Sequence, residues 1–131
     1  YHDNKNFLGT INAIPILEEI NKHVRGFLEL RGLNPECYVE ITSWLQINQP
    51  GSLFNRHDHY GAIVSGVFYL EVPENSGNLK FHNPIEPRRA SDVFFDRIRK
   101  EENQYNYDFI EYAPKVGEMI MFKSWLQHSV E

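Results

Sequence analysis

The sequence predicts a mainly β domain, an antiparallel sandwich or barrel with one helix ahead of it. Three observations carry that prediction. Apolar residues recur at helical spacing in a single bounded stretch near the N-terminus. After it come about seven short runs rich in β-branched and aromatic residues. Between those runs stand turn signals built from Pro, Gly and Asn.

Residues 1–9 are polar apart from Phe7 and Leu8 and read as an extended lead-in. A helix is expected over residues 13–31. Leu17, Ile20, Val24, Phe27 and Leu28 fall on one of its faces. Thr10 or Asn12 offers a cap, Pro15 suits the first turn, and Glu18 and Glu19 lie toward the positive end of the helix dipole. Gly32 and Asn34-Pro35 end it. Its apolar face is expected to pack on a sheet, leaving His23 and Arg25 on the wet side.

From Tyr38 the period becomes two. Val39, Ile41, Ser43, Leu45 and Ile47 alternate with Tyr38, Glu40, Thr42, Trp44 and Gln46, the pattern of a half-buried strand. Residues 48–51 turn the chain. Residues 62–72 form a strongly apolar strand, expected to be buried on both faces, and residues 78–82 another short one. Residues 84–107 differ: two prolines, many charges and an Asn/Gln/Tyr run make them a long insertion, with Val93, Phe94, Phe95 and Ile98 suited to a short helix. A loop of that length in a compact domain is commonly a lid or a substrate contact. Strands are expected over 108–112 and 118–122, and a bend at 124–127 leads into a last one from His128.

Composition narrows the function. A chain of 131 residues suits one domain with its own core. The formal net charge is -5, and the basic pairs Arg88-Arg89 and Arg97-x-Arg99-Lys100 do not form a patch, so no nucleic-acid partner is expected. The lone cysteine, Cys37, excludes an intrachain disulfide and fits a reducing compartment. No apolar run reaches membrane-spanning length and no signal peptide is visible, so a cytoplasmic location is expected, with no membrane partner. The chain starts at Tyr1 without an initiator Met and stops at Glu131, which reads as a segment trimmed at both ends.

The chemistry centres on His57, Asp58 and His59. On an extended strand, residues 57 and 59 leave one face and Asp58 the other. His128, after a Pro-x-x-Gly turn and an apolar strand, can return a third imidazole to the same mouth. Three neutral imidazoles suit Fe(II), Zn(II) or a similar metal and leave positions open for substrate. Asp58 is an alternative ligand if the segment departs from extended geometry. A nucleophile mechanism has little support: Ser65 is mid-strand and Cys37 has no evident base. No glycine-rich phosphate loop is present. His82 reads as a polar residue beside a turn, and Met119 and Met121 as packing residues rather than a cofactor box.

Several short motifs occur in one register: Trp44-x-x-x-Asn48, Asn55-x-His57-x-His59, Ser65-Gly66-Val67-Phe68-Tyr69-Leu70-x-x-Pro73, Gly77-x-Leu79-x-Phe81-x-x-Pro84, and Pro114-x-x-Gly117-x-Met119-x-Met121-Phe122 through Trp125-Leu126-x-His128-x-Val130. Together they resemble the 2-oxoglutarate- and Fe(II)-dependent oxygenases of phages and marine bacteria, relatives of the prolyl-hydroxylase-like branch. The resemblance runs from about Trp44 to the chain end. It implies a double-stranded β-helix, or jelly-roll barrel, with an N-terminal packing helix. It also implies iron held by His57, His59 and His128, with Tyr69 at a 2-oxoglutarate-contacting position and Asn48 and Asn55 near the metal mouth. The activity it implies is hydroxylation of a protein or small-molecule substrate, with O2 as cosubstrate and 2-oxoglutarate converted to succinate and CO2. A phage-encoded chain would act in the host cytoplasm.

Two features depart from that pattern. Most of the superfamily has a carboxylate where His59 stands. The basic residue that usually anchors the far carboxylate of 2-oxoglutarate is expected past Glu131, with Lys80 as a possible substitute. Two other classes stay open: a cupin-like three-histidine metal barrel that does not use 2-oxoglutarate, and a non-catalytic barrel acting as a binding module.

Overall fold

In the computed structural model, which describes residues 7–85 and 97–131, every paired strand runs antiparallel to its neighbour. The described strands are β1 (Phe54–His57), β2 (Val64–Phe68), β3 (Leu79–His82), β4 (Phe109–Tyr112), β5 (Met119–Lys123) and β6 (His128–Val130). They form a four-stranded sheet in the order β1-β6-β3-β4 and a two-stranded sheet of β2 and β5. The chain is mainly β, as the alternating pattern predicts. The pairs β3–β4, β2–β5 and β1–β6 are nested, each enclosing the one before it in sequence.

The two sheets share a core. Leu79 and Phe81 of β3 and Phe122 of β5 are buried together, with Val67, Ile120, Leu126 and Val130 packed against them. Strand alternation explains the set. Residues 79 and 81 leave one face of β3, while Lys80 and His82 leave the other. The Phe81 and Phe122 rings meet edge to face at 4.8 Å, a favoured aromatic geometry. Gly77 lies so close to the last residue that a Cβ there would stand 2.3 Å from the Glu131 carbonyl oxygen. That approach lets the Asn78 N–H donate to the same oxygen at 3.0 Å.

The chain divides into two compact units, Tyr1–Pro50 and Gly51–Glu131. All of the described strands lie in the second. The first contains α1 (Phe7–Thr10) and α2 (Ile14–Leu30). The apolar face assigned from periodicity is the less exposed face of α2, with Leu28 buried. Pro15 is in the first turn, but neither Thr10 nor Asn12 is the cap. Ala13 occupies that position, with no side-chain cap bond. The C-terminus is closed by Gly32 at positive φ, with Gly32 N–H bonded to Glu29 O at 2.8 Å and Leu33 N–H to Leu28 O at 2.9 Å.

Three expectations are corrected, and a fourth lies largely outside the described residues. Residues 7–10 are helical, not extended; the rest of the lead-in, 1–6, lies outside the described residues. Residues 38–47 contain one bridge residue, Ser43, and no strand. Its carbonyl oxygen and hydroxyl accept the N–H groups of Phe7 and Leu8, at the start of α1. β2 is not buried on both faces: Val67 packs inward, while Phe68 is 41% exposed. Most of the proposed helix around Val93–Ile98, and much of the 84–107 insertion, lies outside the described residues.

Candidate metal centre

Strand pairing brings the histidines together. In the β1–β6 register His57 stands directly opposite His128. The register slips by one residue between Phe54 and His57, a bulge in which Asn55 and Arg56 together face a single residue of β6. The bulge lets Phe54 and His57, three apart, both turn inward, while Asn55 and Arg56 are exposed. His59 is past the end of β1, held by its backbone N–H, which donates to Ser124 O at 3.0 Å. Burial alternates across 57, 58 and 59, and Asp58 is the exposed member.

His57, His59 and His128 each offer a ring nitrogen, and these atoms all lie within 4.8 Å of one another. Ring centroids are 4.3 Å apart for His57 and His128, 5.2 Å for His57 and His59, and 5.1 Å for His59 and His128. Backbone carbonyls orient two of the rings. His57 Nδ1 is 2.7 Å from Asn55 O, and His128 Nδ1 is 2.9 Å from Leu126 O. A carbonyl only accepts, so each Nδ1 carries the proton and each Nε2 keeps its lone pair. This is the usual second-sphere arrangement for a metal-binding imidazole.

Electrostatics favours the neutral form of His59 and His128. Burial lowers the pKa of His128, the charge of His57 and then His59 adds to the effect, and the Leu126 hydrogen bond and Asp58 oppose it. Burial lowers that of His59 too, reinforced by His57 and opposed by Asp58. Imidazole nitrogens are donors that suit divalent iron among other transition metals, so the residues present fit the metal.

The other residues singled out are placed as follows. Tyr69 continues the inward side of β2 after Ser65 and Val67. It is half-buried, its N–H donates to Glu118 O at 3.1 Å, and burial, with Glu118, raises its phenol pKa. Asn55 is exposed, and it reaches His57 through its carbonyl oxygen. Asn48 belongs to the Tyr1–Pro50 unit, where its Oδ1 accepts from Gln46 Nε2 at 3.0 Å. Lys80 is on the face of β3 opposite Phe81, paired with Glu131 at 2.7 Å and Glu111 at 3.2 Å. The histidine cluster therefore does not share a sheet face with that lysine. His82 shares a hydrogen bond with Ser129 Oγ at 2.9 Å, also away from the cluster.

Sequence reasoning passed over Ser124, which is fully buried with its Oγ 2.8 Å from Ser65 Oγ. The only hint was a serine among apolar residues at an inward position of each run. The carbonyls of Asn55 and Leu126 left no hint, because a backbone oxygen is present at every residue.

No curated protein matches the chain. A family model described as "Putative 2OG-Fe(II) oxygenase" matches residues 42–131. That span is well over half of the chain, it covers all three histidines, and the chain belongs to that family.

Proposed function

We propose that the protein is an Fe(II)- and 2-oxoglutarate-dependent oxygenase that hydroxylates its substrate, with His57, His59 and His128 as the iron ligands. The convergence of three oriented imidazoles inside the family-matched segment carries this reading. We read the fold as a jelly-roll barrel. Its support is the nesting of β3–β4 within β2–β5 within β1–β6, the arrangement of a long hairpin rolled into two facing sheets.

Bound iron would supply the redox chemistry that couples oxidation of 2-oxoglutarate to oxidation of a C–H bond. The chain's own residues orient and shield. Asn55 O and Leu126 O fix the tautomer of two ligands, and Phe122, with its ring centroid 4.7 Å from that of His128, keeps that side of the site dry. Three neutral ligands leave the metal's full charge uncompensated, whereas a carboxylate ligand would cancel one unit. That charge favours capture of a dianion such as 2-oxoglutarate. Tyr69, half-buried on the inward side of β2, is proposed as a cosubstrate contact.

The test is succinate release dependent on Fe(II), O2 and 2-oxoglutarate together, lost in His57→Ala and His128→Ala proteins that keep their strand content. A second reading, a three-histidine metal barrel that does not use 2-oxoglutarate, is favoured by the all-imidazole donor set. Stoichiometric metal binding without consumption of 2-oxoglutarate would select it and reject the first.

A further inference from the structure

We propose that the Ser65–Ser124 hydroxyl pair is a positioning device for His59, setting how that imidazole meets His57 and His128. The inference rests on reading the three histidines as metal ligands. His59 needs such support because β1 ends at His57, so the β1–β6 ladder does not carry it. Its N–H is received by Ser124 O at 3.0 Å. Ser124 in turn lies just beyond β5, and its own N–H reaches Ile63 O at 3.3 Å. Its side chain is fully buried and meets Ser65 Oγ at 2.8 Å.

Ser65 is anchored in β2 directly opposite Phe122, whose ring faces His128. One hydroxyl pair thus links the two-stranded sheet to the segment bearing His59. The same strand pair steadies His128 through Phe122. An apolar pair would fill this volume without a directional constraint. A fully buried hydroxyl is tolerated only while it is hydrogen-bonded, and half-buried Ser65 gives Ser124 that bond, so the bond fixes the position of Ser124 and, through its carbonyl, that of His59.

The experiment is titration of the metal-free protein with Co(II), read by its visible d–d bands, alongside thermal unfolding, for the parent protein, Ser65→Ala, Ser65→Thr and S65A/S124A. Loss of an outer-sphere partner lowers metal affinity by about 10- to 100-fold. That loss, with altered d–d bands, is expected for Ser65→Ala and S65A/S124A. Ser65→Thr keeps the hydroxyl and restores both. Removing both hydroxyls leaves neither one orphaned, so S65A/S124A recovers thermal stability relative to Ser65→Ala while its metal affinity stays low. Parent-like affinity and bands in S65A/S124A would overturn the proposal and reduce the pair to packing. Absence of Co(II) binding by the parent protein would instead reject the metal centre itself, and the inference with it.

Discussion

Asp58 stands between two imidazoles in the chain, yet it is exposed while both of its neighbours turn inward. Asp58→Ala is therefore expected to leave Co(II) affinity within about twofold, and His59→Ala to lower it by about tenfold or more. Isothermal titration of the two variants checks this, and the reverse order would make the aspartate the ligand. His82 allows a separate test through pH. Burial, and then the charge of Arg56, hold its pKa below the ordinary value. The unfolded chain takes up that proton near about pH 6.5, while the folded chain resists to lower pH. The stability His82 contributes is thus present above that pH and lost as pH falls through the folded value. Melting temperature should fall as pH drops below about 6.5, and His82→Gln should flatten part of the fall. His59 and His128 are shifted in the same direction and keep the rest. At this scale the sequence was informative. Period-two geometry separated His57 and His59 from Asp58, while the carbonyls that orient the rings could not be read from residue identity.

Elements were legible where one strand's pattern was enough. α2 and the runs that became β3, β4 and β5 fall within a residue or two of expectation. Residues 38–47 alternate like a strand but form only a single bridge, at Ser43, because alternation reports which faces can be buried and does not by itself build a strand. The bulge in β1 was invisible for a related reason: its register is set by β6, far away in the chain. Two glycines make the element scale testable. A Cβ at Gly77 meets the Glu131 backbone, which cannot swing aside, whereas at Gly66 its nearest contact is the flexible Met119 Cε at 3.0 Å. Gly77→Ala is expected to destabilise by about 1–3 kcal/mol. Gly66→Ala should be milder, and thermal melts of the two variants side by side give the comparison.

For the whole molecule, the metal would tie β1 to β6, the outermost of the nested pairs. A ligand that binds only the folded state stabilises it by mass action, by about 2.7 kcal/mol at a hundredfold excess over Kd. Co(II) or Fe(II) should raise the melting temperature of the parent protein, EDTA should reverse the rise, and His128→Ala should show neither effect. Among the described residues no helix is long and apolar enough to cross a membrane. The nested pairing itself could not be read from the order of strands, since many topologies share that order. Only the motif register running from Trp44 to Val130 pointed to it.

Nesting also has a consequence in time. Closing a loop is easier the shorter it is, so the β3–β4 pair, separated by residues 83–108, can meet before β2 finds β5, and β1 meets β6 last. His57 and His59 arrive with the first strand and His128 with the final one. A chain caught partway holds two imidazoles and lacks the third. Such a chain would offer no complete three-histidine seat, so a metal ion bound there would be admitted only once the surrounding walls are in place.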